Sequence, residues 1–526
     1  MSDNDPRLRI LDPAAGTLAE PILAALDGTA VLVHLGSDVT GSARVAAAAL
    51  AAMAARLFGR IEIRTDVDAG AVLPPNWWGA ADIPTLATRA AQLITPQHSG
   101  STRTITVTVG TANTGGADFG IGGDDYTAHI ARSPVAVRPG AHHLGVHAAA
   151  CLAISQILGL ILREHGLRVV ELDEDYRLDL LTHRPGASHS GDTHAKPADS
   201  ATDNSGAWPS PSLRELVFAG AGSVGSSAIA LTATALAPAF TGGTAPPDLT
   251  IDVVDLDRFD PNRNPFRYPA LLGGETQDKA SALAAQLRSA GLDATGYTST
   301  VGTWTVQRER PGVRGVLVSS VDTLTGRLEV ADVLAETTLS IGVSGLLLHA
   351  QRERMDGSAA CPFCDYVDTA PTMTQADVYV DLTGLDLQRV LQLLDGNSPL
   401  TDVDVSAAVS AGKLRGQQAF GLAGHRLQDL VNRVYAEGQI RSSTGATLMT
   451  VAFPQVSWFA GVLTTVELVK QIQALPVLYG RVDVDLAGLP PGALRVMPPD
   501  PTGRCVCHSG VRRRAYSDMY TAARHS

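Results

Sequence analysis

The sequence predicts an α/β protein with parallel-rich sheets, built as two halves. Three observations predict it. Short buried-type strands alternate with Ala-rich helical stretches through both halves of the chain. A polar stretch rich in Pro, Ser and Gly, from about Arg184 to Ser212, separates the halves as a linker would. The second half carries Gly220-Ala221-Gly222-Ser223-Val224-Gly225 between a strand and a helix, the setting in which a glycine loop binds phosphate.

The elements follow in order. In the first half, Ala30 to Leu35 (AVLVHL) is a short buried strand, and SARVAAAALAAMAARLFG after it is a helix. Arg60 to Arg64 and Thr104 to Val109 are further strands, and AAACLAISQILGLIL is an apolar helix holding Cys151. The spacing implies a parallel sheet with crossover helices. The turn after the first strand, GSDVTGS, lacks the tight glycine spacing, so this half has no evident phosphate loop. In the second half, Glu215 to Ala219 is a strand, GAGSVG the turn and SSAIALTATALA the helix. Asp252 to Asp255 is the next strand, Lys279 to Ala290 a helix, and Gly315 to Ser319 a strand.

Composition bounds the function. The 526 residues allow about two to four domains. Hydrophobic residues are 45% and charged residues 18%, as in folded proteins, and with aromatics at 5% the core must be Ala, Val, Leu and Ile. A net charge of −12 disfavours a sequence-independent nucleic-acid binder, whose affinity comes from Lys and Arg on phosphates. No uninterrupted apolar run reaches the ~18–20 residues that span a bilayer, and MSDNDPRLRILDP does not read as a signal peptide. The expectation is a cytoplasmic protein without a membrane or nucleic-acid partner.

Five cysteines exclude a disulfide scaffold. Cys361 and Cys364 form CPFC; Cys505 and Cys507 form CVC. Together they make a candidate tetrahedral Zn²⁺ site. Free thiols are the alternative, and His508 is a possible substitute ligand. Cys151 reads as a buried small hydrophobe.

The chemistry gathers after the second strand of the second half. The glycines permit close backbone approach, and the helix start presents free N–H groups to phosphate. Asp255 and Asp257 stand where a carboxylate takes ribose hydroxyls. Asn262, Arg263 and Arg267 follow, then Lys279. That many polar and cationic groups beside a phosphate loop suit a triphosphate better than a dinucleotide. Asp322, just after a strand, is a candidate Mg²⁺ ligand.

These motifs, in this order over most of residues 213–510, resemble the adenylation domain of the ubiquitin-activating family, which includes the bacterial adenylyltransferases of sulfur-carrier proteins (ThiF- and MoeB-like). Gly220, Gly222 and Gly225 match the glycine loop, and Asp255 with Asp257 the family's DxD. Asn264 and Arg267 match its Asn-x-x-Arg, Lys279-Ala280 its Lys-Ala, and Asp322 its later Asp. Cys361, Cys364, Cys505 and Cys507 match the zinc cysteines. The resemblance implies a Rossmann-like adenylation domain preceded by a pseudo-symmetric inactive copy: 1–185 inactive, 186–212 linker, 213–526 active, with a helical insertion at 377–440. It implies adenylation of a β-grasp, ubiquitin-like modifier with ATP and Mg²⁺, a bacterial ubiquitination-like pathway and a conjugating-enzyme partner. The nucleotide site would hold Arg263 and Asn264, and the chain would be a pseudo-dimeric monomer or a homodimer.

No cysteine lies between Cys364 and Cys505, where that family keeps its catalytic thiol. Either the enzyme stops at the adenylate, as a sulfur-carrier adenylyltransferase does, or a hydroxyl replaces the thiol. Ser442 and Ser443, in RSSTGA, stand near the expected position, and a plain loop is the alternative. An NAD-dependent oxidoreductase would explain GAGSVG but neither the zinc pairs nor Lys279.

Overall fold

The computed structural model describes residues 19–520 apart from 38–39, 68–70, 93–101, 112–115, 166–170, 173–174, 186–212, 242–244, 260–266, 272–275, 309–310, 358–359, 362, 365–366, 368–374, 396–397, 415–418, 420, 428, 432–438, 442–446, 450–452, 479, 488–492 and 496–497. Two compact units emerge, one of Glu20–Tyr366 with Ala452–Ser526, the other of Val367–Val451.

The larger unit begins with α1 (Ala19–Asp27), β1 (Thr29–Leu35), α2 (Gly41–Ala54) and β2 (Arg60–Thr65). Then come α3 (Ile83–Ala91), β3 (Arg103–Val109), β4 (Phe119–Gly123), β5 (Thr127–Ala131), α4 (Leu144–Glu164), β6 (Asp175–Asp179) and β7 (Arg184–Pro185). The strands form one sheet in the order β2-β1-β3-β4-β5-β6-β7. The first four are parallel and the remaining three antiparallel, so this sheet is mixed where the sequence implied a parallel one. β1 is buried along its whole length, which explains its continuous apolar reading. Thr40 caps α2 by accepting from the Ala43 N–H at 3.1 Å, and the Ala-rich helix that follows has high helix propensity.

The chain continues through β8 (Glu215–Ala219), α5 (Ser223–Leu236), α6 (Pro238–Thr241), β9 (Thr250–Val254), β10 (Arg258–Phe259), β11 (Gln277–Asp278) and α7 (Lys279–Ser289). It goes on through β12 (Asp293–Tyr297), α8 (Val301–Gln307), β13 (Gly315–Ser319), α9 (Leu324–Asp332), β14 (Thr337–Ser344) and β15 (Leu347–Glu353). The smaller unit intervenes with α10 (Gln375–Thr383), α11 (Leu387–Asp395), α12 (Asp402–Ser410), β16 (Gln439–Arg441) and β17 (Thr447–Met449). The larger unit resumes with α13 (Pro454–Ile472), β18 (Gly480–Asp485), β19 (Ala493–Arg495) and α14 (Gly510–Tyr520). Its second sheet runs β12-β9-β8-β13-β14-β15-β18-β19, five parallel strands and then three antiparallel ones.

The buried helix α13 packs against both α5 and α4 in the larger unit. Among the described residues α4 alone is long and apolar enough to cross a membrane, and 94% of that stretch is buried inside the fold. Cys151, on α4, is fully buried, and burial pushes its thiol pKa well up. A charged cluster is locked into the same core. Glu467 on α13 accepts from Lys470 Nζ at 2.5 Å, His183 Nε2 at 2.9 Å and the Leu478 N–H at 2.6 Å, and Arg352 lies beside it at 3.6 Å.

The smaller unit has its own core, with Leu382, Val390, Leu393, Val405, Leu430 and Val431 buried together. Asp404 fixes the start of α12. It forms a reciprocal capping box with Thr401 and takes a two-pronged bond from Arg389, both at 2.8 Å.

Candidate functional site

Parallel strands β9, β8 and β13 lie side by side, and the chain runs from β8 to β9 on one flank before crossing to β13 on the other. The reversal makes a crevice at their carboxyl ends, where open α/β sheets bind ligands. Three groups of predicted residues meet there.

The first is the glycine loop between β8 and α5. Gly220 has φ +95°, a left-handed conformation that favours glycine. Gly225 lets the helix approach the loop, because a Cβ there would lie 2.0 Å from the Gly220 carbonyl oxygen. Ser320 Oγ, from the end of β13, donates to that same oxygen at 3.0 Å. Gly222 is the N-cap of α5, and a Cβ on it would meet nothing within 4 Å. The loop is thus tight behind and open in front, with a helix N-terminus at its mouth.

The second group follows β9. Asp255 is half-buried, and its carboxylate accepts from the Ala221 N–H at 2.5 Å and the Asp257 N–H at 2.7 Å. It therefore ties the glycine loop to the neighbouring strand end. Burial raises its pKa, against the pull of Lys279 and those two N–H groups. Asp257 is exposed, and its carboxylate holds Lys279 Nζ at 3.0 Å. The short β10–β11 pair closes the intervening segment, and the Lys279 N–H donates to the Asp257 carbonyl at 3.2 Å. That pairing joins two residues 22 positions apart in sequence. Lys279 is largely buried; burial lowers its pKa, but Tyr268 and the carboxylates of Asp255 and Asp257 outweigh it and the net shift is upward. The ammonium is held charged beside the cradle. Arg267 is half-buried, its guanidinium 5.6 Å from the Tyr268 ring, and its Nε has no hydrogen-bond partner. Arg263 and Asn264 lie outside the described residues, as do Ser442 and Ser443.

The third group ends β13. Ser320 backs the loop and Asp322, two residues on, is exposed. Ser320 carries no motif in the sequence; its only signal is a hydroxyl at the end of a buried strand.

Elsewhere in the larger unit, Cys361, Cys364, Cys505 and Cys507 come together, all sulfurs within 4.8 Å of one another. Neighbouring sulfurs lie at 3.4 Å (Cys361–Cys505), 3.5 Å (Cys364–Cys505 and Cys364–Cys507) and 3.9 Å (Cys361–Cys364). Tetrahedral zinc with bonds of ~2.3 Å needs edges of ~3.8 Å, so the donor set fits Zn²⁺. His508 is not part of the cluster. The CVC turn is shaped by Asp500, which accepts from the N–H groups of Thr502, Arg504 and Cys505 at 2.8–2.9 Å. Arg513 Nε on α14 donates to the Cys507 carbonyl at 2.7 Å.

Fold and site thus define an α/β protein with a glycine-loop crevice and a four-cysteine metal-type cluster. No protein-family model matches the chain, and no curated protein matches it. Solved structures of E. coli MccB are similar to part of it. One, with AMPCPP and selenomethionine MccA, is 13% identical at a TM-score of 0.31 and covers 55% of this chain and 66% of that one. Another, with ATP, is 12% identical at 0.32 and covers 56% and 67%. Likeness at this level does not establish a shared fold, and the class rests on strand order and pairing.

Proposed function

We propose that this protein uses ATP to adenylate the C-terminal carboxylate of a ubiquitin-like, β-grasp modifier. The observation that carries the reading is the grouping, at the ends of three adjacent parallel strands, of a cradle open at Gly222, a buried cation at Lys279 and an exposed carboxylate at Asp322. Each has a role in this reading. Backbone N–H groups at Gly222 and Gly225 hold phosphate oxygens, while Gly220, whose own N–H donates to the Val254 carbonyl at 2.8 Å, makes the turn that presents them. Asp255 braces the loop, Asp257 takes the ribose, and Arg263 and Asn264 complete the nucleotide contacts. Asp322 would hold Mg²⁺, which neutralises phosphate charge.

A modifier carboxylate oxygen attacks the α-phosphorus, the bond to the β-phosphate bridging oxygen breaks, and pyrophosphate leaves. Lys279, freed from Asp257 as that carboxylate turns to the ribose, balances the charge developing on the α-phosphate together with Arg267. The four cysteines would hold a structural Zn²⁺ with no role in this step.

The domain plan goes with this reading: 1–185 is an inactive copy, 186–212 a linker and 213–526 the active domain. Strand order supports it. The first sheet's β2-β1-β3-β4-β5-β6-β7 and the second's β9-β8-β13-β14-β15-β18-β19 place successive strands alike. A helix follows the first strand in each, α2 or α5, and a long buried helix precedes the sixth, α4 or α13.

After adenylation, the Ser442 or Ser443 oxygen attacks the acyl carbon, AMP leaves and the hydroxyl proton passes to a base, giving an oxyester for a conjugating-enzyme homologue. The thiols leave room for a hydroxyl acceptor: four lie in the cluster and Cys151 is buried.

The test is ATP–pyrophosphate exchange with a purified β-grasp protein ending in glycine. Exchange should require that protein and vanish in Lys279→Ala. Exchange without it would assign a small carboxylate substrate instead, and bound nicotinamide with no exchange would assign an oxidoreductase.

A further inference from the structure

Three N–H donors of the first half of the chain reach into the second half and grip one short segment of it. Trp78 Nε1 donates to the Pro269 carbonyl and Trp77 Nε1 to the Ala270 carbonyl, each at 2.9 Å. Arg56 Nη2 donates to the Tyr268 carbonyl at 3.3 Å and to the Leu271 carbonyl. Four consecutive carbonyls, Tyr268 to Leu271, thereby accept from side chains some 190–215 residues away, the Tyr268 carbonyl taking the Leu271 N–H at 3.0 Å as well.

The gripping groups are built for the purpose. Arg56 is fully buried, and its described bonds all go to backbone carbonyls, the remaining one being Nη1 to Ala52 at 2.6 Å. Among the described residues no carboxylate pairs with it, and a buried guanidinium held only by carbonyls is costly, which argues that its bonds do something packing alone would not. Trp78 is held in turn by Trp458 of α13, the rings stacked 5.4 Å apart. Trp458 Nε1 donates to His147 Nδ1 at 3.2 Å. Burial pushes His147 down to about 3, so the ring is neutral and can accept that bond.

The gripped segment borders the proposed nucleotide site. Arg267 immediately precedes it, and the Tyr268 ring lies 5.6 Å from the Arg267 guanidinium and 6.0 Å from Lys279 Nζ. We propose that Arg56, Trp77 and Trp78 are positioning residues: the first half of the chain clamps the 268–271 backbone and so sets Arg267 and Tyr268 against the nucleotide crevice. This deepens the adenylation reading and rests on it for the identity of the nucleotide.

Two readouts on the full-length protein test it: amide exchange of the peptide spanning 268–271, and MgATP affinity by calorimetry. The variants are Trp77→Phe, Trp78→Phe, Arg56→Met, and benzothienylalanine at position 78, which keeps the ring and removes the N–H. Each should speed exchange at 268–271 while leaving β8 and α5 protected, and weaken MgATP by about five- to tenfold, the effect of one buried hydrogen bond. The benzothienyl variant should behave like Trp78→Phe. Wild-type exchange and affinity in the benzothienyl variant would overturn the proposal, leaving ring packing as the residue's whole role. Faster exchange at 268–271 with unchanged MgATP affinity would equally overturn it. A wild-type protein that does not bind MgATP would instead sink the adenylation reading, and the exchange readout would still decide whether the clamp exists.

Discussion

Gly225→Ala would place a Cβ 2.0 Å from the Gly220 carbonyl oxygen and 2.7 Å from Ser320 Oγ. Part of that obstacle is backbone, so the loop or the first turn of α5 must move. Overpacking of this kind costs about 1–3 kcal/mol. The Ser320 bond to the same oxygen, 3.0 Å long, would be lost with it, adding about 1 kcal/mol. The expected destabilisation is therefore roughly 2–4 kcal/mol. Gly222→Ala is the internal control. Its φ of −65° suits alanine, and no atom lies within 4 Å of the new Cβ. A gain of about 0.4–1 kcal/mol from the stiffer unfolded chain offsets the poorer N-cap, so stability should hardly change. Yet that Cβ stands in the space proposed for phosphate, so MgATP affinity should fall about tenfold or more. Urea midpoints and calorimetric MgATP titrations separate the two effects. The reasoning fails if Gly225→Ala unfolds at the wild-type midpoint, or if Gly222→Ala binds MgATP as tightly as the wild type.

Other expectations follow from the same geometry. Freshly purified protein should contain about one zinc per chain by metal analysis, and Cys364→Ser should lose it and unfold earlier; a metal-free wild type would remove the zinc assignment. Asp322→Ala should lower modifier-dependent pyrophosphate exchange about 10²–10³-fold with an unchanged circular dichroism spectrum. In the smaller unit, the Arg389 bond and then Thr401 push Asp404 down to about 2 from the ordinary 3.8, against the raising effect of burial. A depressed carboxylate stabilises fully above its unfolded pKa, and that stability fades as pH falls from near 3.8 through about 2. Asp404→Asn should remove roughly 1–2 kcal/mol at neutral pH and flatten the acid limb of amide exchange in α11 and α12; identical acid limbs would contradict this. With ATP and modifier, the double variant Ser442→Ala, Ser443→Ala should lose a hydroxide-labile, thiol-resistant adduct while keeping exchange; an adduct that persists places the acceptor elsewhere.

Most of the crevice was legible because its signals are local. A strand, a glycine turn and an apolar helix within about twenty residues specify one another through backbone sterics. The cysteines were legible because metal geometry ties spacing to chemistry, and their sulfurs do converge. The parallel strand β4 and the antiparallel strands were not read. β7 is only two residues long, and β4 (Phe119–Gly123) holds three glycines, so neither carries a hydrophobic period. β18 does alternate, with burial every second residue, and that period was available. Asp255 reads from the sequence as a ribose ligand; the structure shows its carboxylate accepting from two backbone N–H groups, a role set by three-dimensional closure of the loop. The grip of Trp77 and Trp78 on residues 269–270 spans more than 190 positions, and no local pattern encodes it.

Incubating the protein with a β-grasp modifier ending in glycine, Mg²⁺ and ATP labelled at either the α- or the γ-phosphate tests adenylation most directly. After acid precipitation, the modifier should carry the α-label and none of the γ-label, with the signal lost in Lys279→Ala. Label arriving from the γ-phosphate, or from neither, would contradict it.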